Sequence, residues 1–238
     1  MSAGRSTRVI VITGASSGIG LATALAFADQ GALLVLAARG EPALQRAAQE
    51  CLRRGAAGAH PVVADVTEDD AVDAVCAHAV GQFGRVDAWV HTAAVVAYGR
   101  FEDIPAHVWR RVVDTNVHGS ANVARTALRQ FRDQEGGTLV LLGSLLGEIA
   151  TSFMSPYVTS KWAIRGLGCV LAIETRREAG RSADPGDRSA PGGAAAGDLR
   201  DAGGATPPTS VLITWGDRTE AGRRVTIPPP GIAAGSRR

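Results

Sequence analysis

Tyr157-Val-Thr-Ser-Lys161 sets a phenol and an ammonium four positions apart, with Ser144 a short way upstream. On a helix of about 3.6 residues per turn the two side chains share a face. A phenol with a reference pKa of about 10 is a poor acid–base catalyst at neutral pH, and a nearby lysine charge favours its ionised form. A serine hydroxyl reaching the same point can hydrogen-bond a carbonyl oxygen. Together the three outline a site that moves a proton onto or off an alcohol or carbonyl. The spacing alone also fits an ordinary amphipathic helix surface. The rest of the chain has to decide between them.

A site of this kind needs elements that hold it. Arg8-Val-Ile-Val-Ile-Thr13 is a short β-branched run that reads as a buried strand, and Gly18 to Gln30 reads as a helix behind it. Leu33–Ala38, Val62–Ala64, Val86–His91 and Thr138–Gly143 read as further strands. Between them fall helices over Glu41–Arg54, from Thr67 onward, over Pro105–Phe131, and from Pro156 to about Glu174. Strand–helix alternation in segments this short predicts an α/β fold: a doubly wound parallel sheet covered on both faces.

Thr13-Gly-Ala-Ser-Ser-Gly-Ile-Gly20 lies between the first strand and the first helix. Gly14 permits a tight turn, Gly18 allows backbone to approach a pyrophosphate, and Gly20 allows close packing. The helix N-terminus adds N–H donors and positive potential. Gly14, Ser16, Ser17, Gly18, Ile19 and Gly20 are therefore candidate cofactor-binding residues, although an isolated glycine triplet is often only a turn. At the end of the second strand a carboxylate would select NAD, whereas this chain has Ala37-Ala38-Arg39. The Arg39 guanidinium suits a 2′-phosphate, so NADP(H) is expected over NAD(H); an ordinary surface arginine is the other reading. Asp65-Val66 either accepts from an adenine amino group or forms a turn before a helix.

Bulk properties narrow the class. The 238 residues suffice for one sizeable core, and a formal charge of +2 with scattered basic residues argues against a nucleic-acid partner. Cys51, Cys76 and Cys169 give no disulfide framework, and with His60, His78, His91, His107 and His118 they form no metal-ligand spacing. No run is apolar enough to cross a bilayer, so no membrane partner and a cytoplasmic location are expected. After Glu174 the composition breaks. From Thr175 to Ser210 the only large aliphatic side chain is Leu199. Residues 1–174 thus read as the cofactor-binding catalytic domain, and 175–238 as a low-hydrophobicity segment of disordered character, with Ser210–Trp215 a candidate strand.

With these residues in place, the chain resembles the short-chain dehydrogenase/reductase family over roughly residues 8–174. The resemblance rests on the Thr13–Gly20 loop, Asp65, Asn116 within Asp-Thr-Asn-Val, Ser144, and Tyr157 with Lys161. It implies a Rossmann-like fold and a catalytic set of Asn116, Ser144, Tyr157 and Lys161. Tyr157 would be the general acid/base, and Ser144 would polarise the substrate oxygen. Lys161 would bind the nicotinamide ribose and lower the tyrosine pKa, and Asn116 would hold a water in a proton path. Asn116 as a kink residue and Ser144 as a strand-end cap are the plainer alternatives. The resemblance also implies a homo-oligomer, a dimer or tetramer.

Two departures stand out. Where the family has Asn-Asn-Ala-Gly after the fourth strand, this chain has His91-Thr92-Ala93-Ala94, which keeps Ala93 beside the cofactor and makes His91 a packed substitute rather than a catalyst. Family register is also lost between Glu174 and Gly222, so the last strands and the substrate-covering lid are expected to be incomplete. A shifted reading frame in a GC-rich gene accounts for that loss, real divergence being the alternative, and translating the other frames tests it. The expected function is hydride transfer between NADP(H) and a small carbonyl or secondary alcohol. The alternative is an NADP-binding protein with little or no turnover.

Overall fold

The protein is described by a computed structural model for residues 7–182 and 209–214, with side chains from 7 to 175. Among the described residues six strands form one parallel sheet: β1 (Val9–Thr13), β2 (Leu33–Ala38), β3 (Gly58–Val63), β4 (Ala88–His91), β5 (Gly137–Leu142) and β6 (Thr209–Thr214). Their order is β3-β2-β1-β4-β5-β6. The helices are α1 (Gly18–Ala28), α2 (Glu41–Arg53), α3 (Asp69–Phe83), α4 (Ala106–Val113), α5 (Gly119–Asp133) and α6 (Ser155–Ser182).

The expected doubly wound sheet is what forms, and its cause is visible in β1. All five of its residues are buried, because helices cover both faces. Successive side chains point to opposite layers. Val11 joins Val35, Trp89, Val123, Phe131, Leu139 and Leu141 in one core. Ile10 and Ile12 join Ala24, Ala28, Leu34, Leu36 and Leu44 in the other. Strand order reverses between β1 and its neighbour β4, so a crevice opens at the carboxyl ends of these strands, where ligands bind in folds of this type.

Several boundaries differ from the sequence reading. β3 starts at Gly58 rather than Val62 and contains Pro61, which is tolerated because β3 lies at the sheet edge. The long helix expected over Pro105–Phe131 is divided by a π-helical segment, Asp114–His118, between α4 and α5. There the N–H of Gly119 reaches the carbonyl of Asp114, five residues back. A methyl at Gly119 would come within 2.6 Å of Val66 Cγ2, so glycine lets the widened turn rest on the loop after β3. α6 crosses the composition break at Glu174 and continues to Ser182. The candidate strand at 210–215 is β6, paired in parallel with β5 from Gly137↔Thr209 to Leu142↔Thr214. Pro185-Gly186, the Gly222–Pro230 stretch and most of the segment assigned to a shifted frame lie outside the described residues.

Candidate active site

The glycine loop leaves β1 with Gly14 at φ +84°, its N–H donating to the Ala37 carbonyl at 2.8 Å. Each glycine answers a different constraint. Gly18 has φ +54° and open space where a side chain would begin, so something outside the chain can approach its backbone. A methyl on Gly20 would run into the Gly14 carbonyl and Thr92 Oγ1. Ser17 precedes α1 in extended conformation, and its hydroxyl caps none of the helix's first N–H groups. Those donors face the crevice with the positive end of the helix behind them.

Thr92 locks this loop from the neighbouring strand. Its N–H and its Oγ1 both donate to the Thr13 carbonyl, at 2.9 and 2.8 Å. Sequence reasoning noticed Thr92 only as a departure from a pattern. Its contact with both glycines depends on β1 pairing with β4, which no local spacing reveals.

One cleft of about 1070 Å³ runs from the glycine loop to α6. Gly14, Ser16, Ser17, Gly18, Ile19, Gly20, Arg39, Asp65 and Val66 line it toward one end, and Ser144, Tyr157 and Lys161 toward the other, with Ala93 also in its wall. Of the candidate catalytic and cofactor-binding residues named from sequence, only Asn116 does not line it. The reading also missed wall residues, among them Tyr98, Leu146, Met154 and Thr115, whose buried Oγ1 has no partner.

Ser144 is extended and follows β5, and its Oγ accepts from the Leu146 N–H at 3.1 Å. That bond fixes the hydroxyl oxygen and leaves its proton free to donate. Lys161 is 2% exposed and donates from Nζ to the Leu142 carbonyl at 2.8 Å. Its Nζ lies 5.5 Å from the centre of the Tyr157 ring, as expected for neighbours one turn apart. Burial pushes the Lys161 pKa down to about 8. With one N–H committed to the sheet, two remain.

Asn116 is fully buried in the π-helical segment and acts as a brace. Its side chain pairs with both backbone groups of Val95, accepting at 2.8 Å and donating at 2.9 Å, and donates to Ser160 Oγ at 2.9 Å. Ser160 in turn donates to the Tyr157 carbonyl at 2.7 Å. Asn116 therefore ties the loop after β4 to the helix that carries Tyr157 and Lys161. Its own carbonyl accepts from Ser120 Oγ at 2.6 Å. These contacts fit the kink reading of Asn116.

At the other end, Asp65 forms the turn that was one of its two readings: Oδ1 accepts from the N–H and hydroxyl of Thr67, at 3.0 and 2.9 Å. Its Oδ2 accepts from Arg111 at 2.9 Å and lies 3.9 Å from Arg39. Burial raises the Asp65 carboxyl, but hydrogen bonds from Thr67 and Arg111 outweigh it and hold the group below the ordinary carboxylate range. His91 points away from the cleft into the core, 3% exposed, with Nδ1 2.8 Å from Thr13 Oγ1 and Nε2 unpartnered.

A glycine loop at a helix start, a serine at the end of β5 and a Tyr–Lys pair on the next helix thus meet in one crevice. The model of the short-chain dehydrogenase family matches residues 8–179. The chain belongs to the short-chain dehydrogenase family. An uncharacterised oxidoreductase of Bacillus subtilis, YxnA, is 38% identical over 72% of this chain and 48% of its own length. The chain thus matches about half of that relative. Among solved structures, a short-chain dehydrogenase/reductase from Burkholderia phymatum in complex with NAD superposes with a TM-score of 0.73 at 27% identity, covering 88% of this chain and 65% of that one. An alcohol dehydrogenase from Thermococcus sibiricus, complexed with 5-hydroxy-NADP, superposes at 0.67 with 29% identity, covering 71% and 72%. The first of these two structures holds NAD and the second 5-hydroxy-NADP. Among the described residues no helix is long and apolar enough to cross a membrane.

Proposed function

We propose that this short-chain dehydrogenase transfers hydride between NADP(H) and a small carbonyl compound or secondary alcohol, with Tyr157 as general acid/base. The observation that carries the proposal is the convergence of Ser144, Tyr157 and Lys161 on the wall of the cleft that the glycine loop opens. The chain's own atoms fit a dinucleotide: open space at Gly18, uncapped N–H groups at α1, and the orphaned Thr115 hydroxyl in the wall all lack partners that a phosphate–ribose chain provides. Gly14 to Gly20 would hold the pyrophosphate, Arg39 an adenosine 2′-phosphate, and Lys161 the nicotinamide ribose. When bound, the nicotinamide supplies the hydride chemistry.

The residues do the rest. Ser144 donates its free proton to the substrate oxygen and fixes its position. Tyr157 gives that oxygen a proton in reduction or takes one in oxidation. Lys161, anchored on Leu142, holds its ammonium 5.5 Å from the centre of the Tyr157 ring. Asn116 positions rather than reacts, bracing α6 against the loop after β4.

Cofactor choice rests on Arg39, which stands where an NAD-selecting carboxylate would be. Arg39→Asp is expected to weaken NADPH binding by about 10–100-fold, the loss of a charge-assisted contact, while NADH binding holds or improves. Fluorescence titration of both nucleotides checks this; an unchanged NADPH/NADH ratio would remove Arg39 from the assignment. Gly20→Ala should weaken both nucleotides at least about tenfold, because the methyl must displace the Gly14 carbonyl. Equal affinity for parent and variant would show that the loop does not cradle the phosphates. Assembly as a homo-oligomer is part of the same proposal and is checked by light scattering.

A further inference from the structure

We infer that Arg111 is a specificity-determining residue for the cofactor's 2′-phosphate, forming with Asp65 and Arg39 one preassembled anion site. The inference rests on the NADP(H) reading above and extends it to a residue on a different element. Arg39 follows β2, Asp65 follows β3, and Arg111 lies on α4; Arg39 and Asp65 line the cleft, and Arg111 stands behind them, donating to Asp65 Oδ2.

Geometry separates this group from an incidental surface pair. Thr67 occupies Asp65 Oδ1 with two hydrogen bonds, which fixes the plane of the carboxylate. Oδ2 then faces Arg111 at 2.9 Å and Arg39 at 3.9 Å, so one anchored anion sits between two guanidinium groups. The side chains of Arg39 and Arg111 remain 55% and 44% exposed, leaving donors on each planar fork available. Two cations and one anion leave the cluster with an excess of one positive charge.

Arg111 has two consequences for an anion arriving at Arg39. It neutralises Asp65, whose charge would otherwise repel a phosphate from the cleft wall. By taking Oδ2 at hydrogen-bond distance it also keeps Asp65 from drawing Arg39 into a tight pair, so the Arg39 fork stays available. Neither effect bears on a nucleotide that lacks the 2′-phosphate. Arg111 should therefore discriminate between the two nucleotides and not merely support the fold.

The test is calorimetric binding of 2′,5′-ADP and of 5′-AMP to the full chain, for the parent, Arg111→Gln and Arg111→Lys. Arg111→Gln is expected to weaken 2′,5′-ADP about tenfold and to leave 5′-AMP within about twofold, with a shallower salt dependence for the former. Arg111→Lys, which keeps the charge and loses the fork, should fall between. Retained 5′-AMP binding also reports an intact cleft. Equal weakening of both probes would reduce Arg111 to a structural contact and overturn the inference, as would no change in either. If the parent prefers 2′,5′-ADP and Arg111→Gln keeps that preference, only this inference fails. If the parent shows no preference, the NADP(H) reading fails with it.

Discussion

Tyr157→Phe is expected to lower kcat/KM for carbonyl reduction by about 10²–10⁴-fold while leaving NADPH affinity within about twofold. The substitution removes one oxygen and its proton and keeps the ring. Packing on α6 and the Asn116–Ser160 brace, which reaches only the Tyr157 backbone carbonyl, should survive. Lys161 stays anchored to Leu142 and, with its pKa pushed to about 8, is still largely charged at neutral pH. What is lost is the proton donor at the substrate oxygen. Ser144 does not replace it, because a serine hydroxyl stabilises that oxygen without being acidic enough to protonate it. A carbonyl panel assayed beside a cofactor titration separates the possible results. A large fall in turnover with intact binding supports acid–base catalysis by Tyr157. Nucleotide binding without turnover in the parent, unaffected by the substitution, would instead identify a binding protein.

That experiment targets the part of the site that local spacing made legible. Tyr157 and Lys161 announce themselves because one helical turn fixes their relation, and Gly14 to Gly20 because strand, turn and helix follow within a few residues. β6 could be read from a short aliphatic run for the same reason. Contacts made by topology were not readable. Arg111 lies 46 residues from Asp65, and Asn116 lies 21 from Val95 and 44 from Ser160; only the folded sheet brings them together. The π-helical segment escaped because nothing in Asp-Thr-Asn-Val-His favours an i→i+5 bond over i→i+4. The continuation of α6 past Glu174 escaped for the opposite reason. Apolar periodicity stops there, but Arg, Glu and Ala are strong helix formers, and propensity carries the helix on to Ser182.

His91→Asn is expected to flatten the acid limb of stability. The His91 ring is fixed in the core by Thr13, whose Oγ1 also lies 3.4 Å from Trp89 Nε1 as that indole's acceptor. Burial, with the Lys161 charge as a second cause, pushes the imidazole pKa down from 6.5 to about 3. The folded protein thus holds the ring neutral between those values, whereas the unfolded chain takes up a proton. Because the unfolded state binds more protons there, stability rises with pH across that window and is lost as pH falls below 6.5. The penalty from this one ring reaches about 2 kcal/mol at pH 5 and grows toward pH 3. Asparagine cannot titrate, so its denaturation midpoint should change less between pH 7 and pH 4.5 than that of the parent. The slope is the readout and not the absolute stability, since asparagine will find its own partners beside Thr13. Asp65, held low by Thr67 and Arg111, loses its contribution only as pH falls through its ordinary value of 3.8, below the pH 7 to pH 4.5 comparison. Parallel pH profiles for the two proteins would mean that His91 takes up its proton without unfolding, and that the core around Thr13 and Trp89 is open enough to solvate a cation. The close packing of that core argues for diverging profiles: both Trp89 and Thr13 are at most 1% exposed, and Lys161 already places one positive charge nearby.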